Sequence, residues 1–141
     1  MFLIPVYREL EHTADLRLEI WGFTWNGLLQ HSAIALSDVI TERRRIRPTA
    51  YCDFECRAER PDELVVALLR ELLIRFETKD WLSHHIEILR ADNNALQVRS
   101  WGEPYQPKRH PIKTELKAVT YHGLELIRRW WGWRARIVFD I

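Results

Sequence analysis

The chain has 141 residues, a net charge of +1, 47% hydrophobic residues and 29% charged residues. This length suits one domain with its own apolar core, so we predict a single domain over residues 1–141. The near-neutral charge argues against a general nucleic-acid binder. No segment approaches the roughly 18 apolar residues of a membrane helix, and the start lacks signal-peptide features. We therefore expect a cytoplasmic protein with no membrane partner.

The first half of the sequence predicts two strand–helix pairs. Leu16–Ile20 alternates apolar and charged residues, which is typical of a half-buried strand. Thr24 is a suitable N-cap for a helix that runs to about Ile40. Residues 51–58 alternate again, and Pro61 suits the first turn of a second helix. The wide apolar stripe of that second helix predicts that it packs against a sheet.

The second half predicts a series of strands. They are expected at residues 85–89, 95–101, 114–122, 124–127 and 133–141. Strands that follow one another closely along the chain favour antiparallel pairing. The whole pattern predicts an α+β fold, with two helices on one face of a largely antiparallel, mixed β-sheet in a two-layer sandwich.

The end of the sequence suggests a cation site. Asp140 and the terminal carboxylate of Ile141 are adjacent anions, and a bound cation would relieve their repulsion. Asp15, at the start of the first alternating strand, is a candidate third ligand. Oxygen ligands of this kind suit a divalent metal, Ca²⁺ or Mg²⁺/Mn²⁺. The alternatives are that Asp140 pairs with an arginine or is simply solvated.

A stiff polar segment leads into the predicted strand Thr114–His122. Its φ angles are fixed at three prolines, Pro104, Pro107 and Pro111. A loop that is already ordered loses less entropy on binding, which favours a recognition surface. The alternating charges of the strand are equally compatible with a solvated sheet face. His12 and His122 adjoin polar segments and suit hydrogen bonding better than zinc binding.

Signals of catalysis are weak. The sequence has no G-x-S-x-G, P-loop or G-x-G-x-x-G motif, and no nucleophile beside a base. Cys52 and Cys56 lack a second Cys/His pair and are expected to be small buried residues. Residues 130–133 predict an aromatic hairpin tip. Packing over the sheet end is the favoured interpretation, and base stacking beside Arg128 and Arg129 is the alternative.

Several ordered motifs resemble those of the archease family, and together they run from about Tyr7 to the last residue. They are His12-Thr13-Ala14-Asp15, Gly102-Glu103-Pro104-Tyr105, Arg109-His110-Pro111, Lys113-Thr114-Glu115, Lys117-Ala118-Val119-Thr120-Tyr121-His122-Gly123-Leu124 and Val138-Phe139-Asp140-Ile141. The segments between them are ordinary, and the Trp130–Trp133 turn does not belong to the pattern.

The resemblance implies a function. Archeases are small α+β proteins that activate an RtcB-type RNA ligase in tRNA splicing and RNA repair. That ligase is guanylylated on a histidine and joins 2′,3′-cyclic phosphate or 3′-phosphate ends to 5′-hydroxyl ends. An archease promotes the guanylylation and the turnover, is not itself the enzyme, and meets RNA only through the ligase.

The resemblance also assigns residues. The family's metal ligands fall on Asp15, Asp140 and Ile141, the last through its terminal carboxylate. The candidate contacts with the ligase are His12, Glu115, Lys117 and His122. Three other functions remain alternatives: a stand-alone metal-dependent phosphoester hydrolase, an RNA-binding module, and a chaperone-like interaction domain.

Overall fold

The computed structural model describes residues 6–10 and 15–141. In chain order, these residues form β1 (Tyr7–Leu10), β2 (Leu16–Gly22), α1 (Trp25–Ile40), β3 (Ala50–Arg57), α2 (Pro61–Lys79), β4 (Trp81–Ala91), β5 (Ala95–Pro104), β6 (Ala118–Arg129) and β7 (Gly132–Asp140). A single 3₁₀ turn, Arg43–Arg45, follows α1.

The strands form two sheets, and both helices pack against both of them. One sheet has the order β1-β2-β7-β6 and the other β3-β5-β4. Every pairing in the described part of the chain is antiparallel. The helix α1 packs on β2 and β4, whereas α2 packs on β3, β4 and β6. The α+β class is confirmed, while the one mixed sheet that we expected is divided into two antiparallel sheets.

The first helix begins and ends where its sequence predicts. The Thr24 hydroxyl accepts a hydrogen bond from the Gly27 N–H at 2.9 Å, which satisfies one free donor of the first turn. At the other end, the Thr41 N–H donates to the Ser37 carbonyl at 3.0 Å. Leu28, Leu29 and other apolar side chains of α1 are fully buried in the core.

The second helix supplies the widest apolar face. Pro61 opens it, with two acidic residues in the first turn that favour the helix dipole. Asp80 adopts a left-handed conformation with φ of 53° and ends the helix directly before β4. The buried residues of α2 are Leu64, Val65, Val66, Leu68, Leu69, Leu72 and Leu73.

The predicted strand Thr114–His122 is wrong over its first residues, because β6 begins only at Ala118. Just before the predicted strand, the Lys113 N–H donates to the Ile40 carbonyl at the end of α1, at 2.8 Å. Residues 124–127, predicted as a separate strand, continue β6. The strand β4 is longer than predicted at both of its ends, and β5 begins as predicted but continues to Pro104.

A bulge interrupts β6. Thr120 pairs with Val138 and Glu125 pairs with Arg136, so residues 121–124 lie opposite Ile137 alone. Gly123 has φ of 75°, a backbone conformation that side chains disfavour. From α2, the Arg70 Nε donates to the Val119 carbonyl at 3.0 Å, and its guanidinium lies 4.2 Å from the Tyr121 ring centre. The helix therefore holds the bulge in place.

Candidate functional site

The register of β2 and β7 aligns the two predicted acidic ligands. Leu16 pairs with Phe139, so Asp15 and Asp140 lie one position beyond that pair on adjacent strands. Asp140 is exposed, and the side chain of Asp15 is 24% exposed. The Arg17 Nε lies 3.4 Å from an Asp15 carboxylate oxygen. The sheet therefore places at one end two carboxylates that are distant in sequence.

We call the end of the sheet that carries Asp15 and Asp140 the acidic end. Its carboxylate oxygens suit a hard cation, because such cations prefer oxygen ligands. Among residues 6–10 and 15–141, no three His, Cys, Asp or Glu side chains form a group that could hold a metal. The predicted set supplies only two such side chains, because its third ligand is the terminal carboxylate of Ile141. Ile141 is 47% exposed. The metal site thus stays a prediction.

One of the predicted contact residues lies directly beside the acidic end. The Lys117 N–H donates to the Asp140 carbonyl at 2.8 Å, and the next residue, Ala118, pairs with Asp140. Lys117 and Glu115 are both exposed. The segment before β6 and the acidic end are therefore adjacent parts of one surface.

The structure describes only one of the two predicted histidines, His122. His122 is exposed within the bulge, where its N–H donates to the Thr120 hydroxyl at 2.9 Å. His12 lies outside the residues that the structure describes. Neither role in binding is tested by these positions, and both stay predictions.

The start of the stiff polar segment contains a buried hydrogen-bonded cluster, which we did not expect. We call this cluster the clamp; it consists of Glu103, Arg109, His110 and the backbone N–H of Arg47. Glu103, at the end of β5, is 4% exposed and His110 is fully buried. The Glu103 carboxylate accepts hydrogen bonds from the Arg47 N–H at 2.8 Å, from His110 Nε2 at 2.9 Å and from the Arg109 guanidinium. Glu103 and His110 therefore support the loop from within, where they are closed to solvent.

The hydrogen bonds of the clamp also define its protonation. The His110 Nδ1 accepts from the Gln106 N–H at 2.9 Å, so Nε2 carries the proton that is donated to Glu103. Burial alone would raise the pKa of the Glu103 carboxyl. The bonds from Arg47, His110 and Arg109 outweigh burial and hold that pKa below its usual value. Glu103 is therefore an ionised, buried carboxylate.

A sequence model of the Archease protein family matches residues 7–141 of this chain. The chain belongs to the archease family. It is 36% identical over 138 residues to the archease of Methanopyrus kandleri, covering 96% of this chain and 99% of that protein.

Two solved structures share the fold of this family. The solution structure of protein 1598 from Methanobacterium thermoautotrophicum has a TM-score of 0.79 and 23% identity, covering 96% of this chain and 99% of that one. The crystal structure of an archease from Thermotoga maritima, described as a possible chaperone, has a TM-score of 0.62 and 23% identity, covering 100% and 98%. At this identity the likeness concerns the fold alone.

Sequence patterns missed a second buried carboxylate. Alternation placed Glu19 on the solvent side of β2, yet it is 3% exposed beneath arginine side chains. Arg8 and Arg136 contact its two oxygens at 2.9 and 2.8 Å. Burial would raise the pKa of Glu19, but bonds from Arg136 and Arg8 hold it below its usual value. The arginines at alternate positions of β7 were the available signal.

The structure also describes the two cysteines and the tryptophans of the predicted hairpin tip. Cys56 is buried, which raises the pKa of its thiol to about 12, and Cys52 is half-buried. Both are free thiols, and the burial that we expected of both is confirmed for Cys56 and only in part for Cys52. At the β6–β7 turn, Trp130 is 96% exposed, so the favoured interpretation of packing over the sheet end is wrong for this residue. The ring centre of Trp133 lies 5.1 Å from that of Trp25.

No helix in the described ranges is long and apolar enough to cross a membrane.

Proposed function

We propose that this protein activates an RtcB-type RNA ligase in tRNA splicing and RNA repair, in the cytoplasm. It promotes guanylylation and repeated turnover of the ligase and does not itself join RNA. Membership of the archease family supports this function. The structural observation that supports it is the position of Asp15, Asp140 and Lys117 at one end of a sheet, where Asp140 and Lys117 are exposed. RNA is reached only through the ligase.

A divalent cation, Ca²⁺ or Mg²⁺/Mn²⁺, would be held by Asp15, Asp140 and the terminal carboxylate of Ile141. When bound, such a cation supplies positive charge that stabilises phosphate oxygens. The Lys117 N–H donates to the Asp140 carbonyl at 2.8 Å, which supports a fixed position of Asp140, and the Arg17 Nε lies 3.4 Å from an Asp15 carboxylate oxygen. The side chains of Glu115 and Lys117, together with His12 and His122, are the proposed contacts with the ligase.

Neutral amide variants test the acidic end directly. We expect Asp15→Asn and Asp140→Asn each to lower stimulation of ligase guanylylation at least about tenfold, because a lost metal ligand costs at least as much as a lost supporting contact. The measurement is a guanylylation time course of the ligase under multiple turnover. Calorimetric titration with Ca²⁺ and Mn²⁺ reports the metal itself. Glu59→Gln, an exposed carboxylate between β3 and α2, is the matched control.

The outcomes separate the proposal from its alternatives. Normal stimulation by both variants would show that the acidic end is not required. Hydrolysis of a phosphodiester by the pure protein with Mn²⁺, lost in Asp140→Asn, would replace an activator with a metal-dependent hydrolase. Salt-sensitive binding of RNA without the ligase would instead favour the RNA-binding module.

A further inference from the structure

A cleft of about 400 Å³ lies between the ends of both helices and the segment that follows the clamp. Most of its lining is apolar: Ile40, Leu73, Phe76, Tyr105, Ile112 and Leu116. The rings of Phe76 and Tyr105 meet edge-on, with their centres 5.5 Å apart. Ile112 is 44% exposed, so one wall of the cleft is open to solvent.

The rim of the cleft is acidic. Glu77 and Glu115 line it and are exposed. Within the described ranges, neither carboxylate takes part in an ion pair. Lys113, next to this lining, is directed to α1, where its Nζ donates to the Asp38 carbonyl at 2.6 Å. An apolar floor is therefore combined with two exposed carboxylates that form no ion pair within the described ranges.

The walls of the cleft are already fixed. The Lys113 N–H bonds to the Ile40 carbonyl, and the Thr41 hydroxyl donates to the Pro111 carbonyl at 2.7 Å. The clamp at Glu103 holds the other end of the same segment. A preformed cleft loses little conformational entropy on binding, which favours recognition of an extended partner segment.

The cleft also adjoins the acidic end of the sheet. Leu116 lines it, and the next residue, Lys117, bonds through its N–H to the Asp140 carbonyl. A partner segment that is anchored in the cleft would therefore lie within a few residues of Asp140. The cleft and Asp140 are thus linked through two successive residues, Leu116 and Lys117.

We propose that this cleft is the anchor site for the ligase, which rests on the function proposed above. The occupant is a surface segment of the ligase in which a large aliphatic or aromatic side chain is followed closely by Lys or Arg. The apolar side chain enters between Phe76 and Ile112. The basic side chain pairs with Glu77 and Glu115 at the rim. The cleft thus supplies affinity, while Asp15 and Asp140 supply the activating chemistry.

Two exposed isoleucines provide a matched test. Ile112 lines the cleft, whereas Ile74 is 48% exposed on α2 and does not. We expect Ile112→Asp to weaken binding of the ligase, measured by calorimetry, at least about tenfold, because it places a charge on an apolar contact. Ile74→Asp should stay within about twofold of the wild type. Thermal unfolding of both variants checks that each is folded.

Charge reversal tests the basic part of the occupant. Glu77→Lys combined with Glu115→Lys should weaken binding and reduce its dependence on salt, while Glu59→Lys should not. Stronger binding by the double variant would show that the occupant is acidic and would overturn the proposal. So would unchanged binding by a folded Ile112→Asp.

Stimulation assays keep the two proposals distinguishable. With a saturating concentration of Ile112→Asp, maximal stimulation of the ligase should return, whereas Asp140→Asn should bind normally and fail to stimulate. If the wild type neither binds nor stimulates the ligase, the proposed function fails and this inference fails with it. If the wild type binds and Ile112→Asp binds equally, only the cleft is wrong.

Discussion

The two parts of the segment between β5 and β6 have opposite environments. In the first part, Glu103 and His110 are buried and hydrogen-bonded to each other. In the second part, Glu115 and Lys117 are exposed beside the acidic end. Both parts carry residues of the pattern shared with the archease family. The motifs by which the sequence resembles the family therefore include an internal support as well as exposed residues.

The difference follows from the cost of burying charge. A buried carboxylate must have its hydrogen bonds satisfied, which commits its partners to a structural role. An exposed carboxylate costs little to keep and remains available to a cation or a partner protein. The buried clamp shapes the segment, and the exposed residues that follow it are presented in a fixed position.

The largest expected effect is a change in the free energy of unfolding, and it should differ between the two parts. Glu103→Gln should lower the free energy of unfolding by about 3 kcal/mol, because it leaves the Arg109 guanidinium without its carboxylate and weakens the bond from the buried His110. Glu115→Gln, the same change at the exposed part, should stay within about 0.5 kcal/mol. Urea unfolding followed by circular dichroism measures both. Equal losses of stability in Glu103→Gln and Glu115→Gln would show that the two parts do not differ in this way.

The buried carboxylates should also make the free energy of unfolding depend on pH. Glutamate has a pKa of about 4.3 when unfolded, and Glu103 and Glu19 have lowered pKa values in the fold. As the pH falls below about 5, the unfolded chain binds protons first, so stability falls with decreasing pH. Urea unfolding from pH 3 to 7 should show a shallower slope for Glu103→Gln. An unchanged slope would mean that this carboxylate contributes nothing to acid sensitivity.

The smallest expected effect concerns the bulge in β6, which continues the exposed part. Arg70→Met keeps an apolar stem but loses the bond to the Val119 carbonyl and the contact with Tyr121. We expect a loss of about 1 kcal/mol. Hydrogen exchange should become faster at residues 119–125 and stay unchanged in the clamp. Faster exchange at His110 would show that the two parts are coupled.

Much of the fold could be predicted because its signals are local. Thr24 caps α1, and Pro61 opens α2, as their side-chain chemistry dictates. The start of β6 could not be predicted, because Lys113 bonds to Ile40, far away in sequence. The division into two sheets likewise depends on pairing between distant strands, such as β2 with β7.

The candidate site was predictable in its residue types and only partly in its arrangement. Asp15 and Asp140 could be named from their chemistry and from the resemblance, but their alignment depends on the register of two strands. Glu19 was missed because alternation cannot tell a solvated carboxylate from one covered by arginines. Only tertiary contacts decide that difference. Glu103 was missed because the predicted strand ended at residue 101, whereas β5 continues to Pro104.

The bulge at residues 121–124 has a consequence for solubility. The strand β6 is an outer strand of its sheet, and an outer strand exposes backbone groups that can pair with another molecule. Here four residues lie opposite one, and Gly123 turns the backbone with φ of 75°. A second chain therefore finds no straight template to extend. Closing this bulge by deletion would create a longer flat edge and favour self-association into fibres.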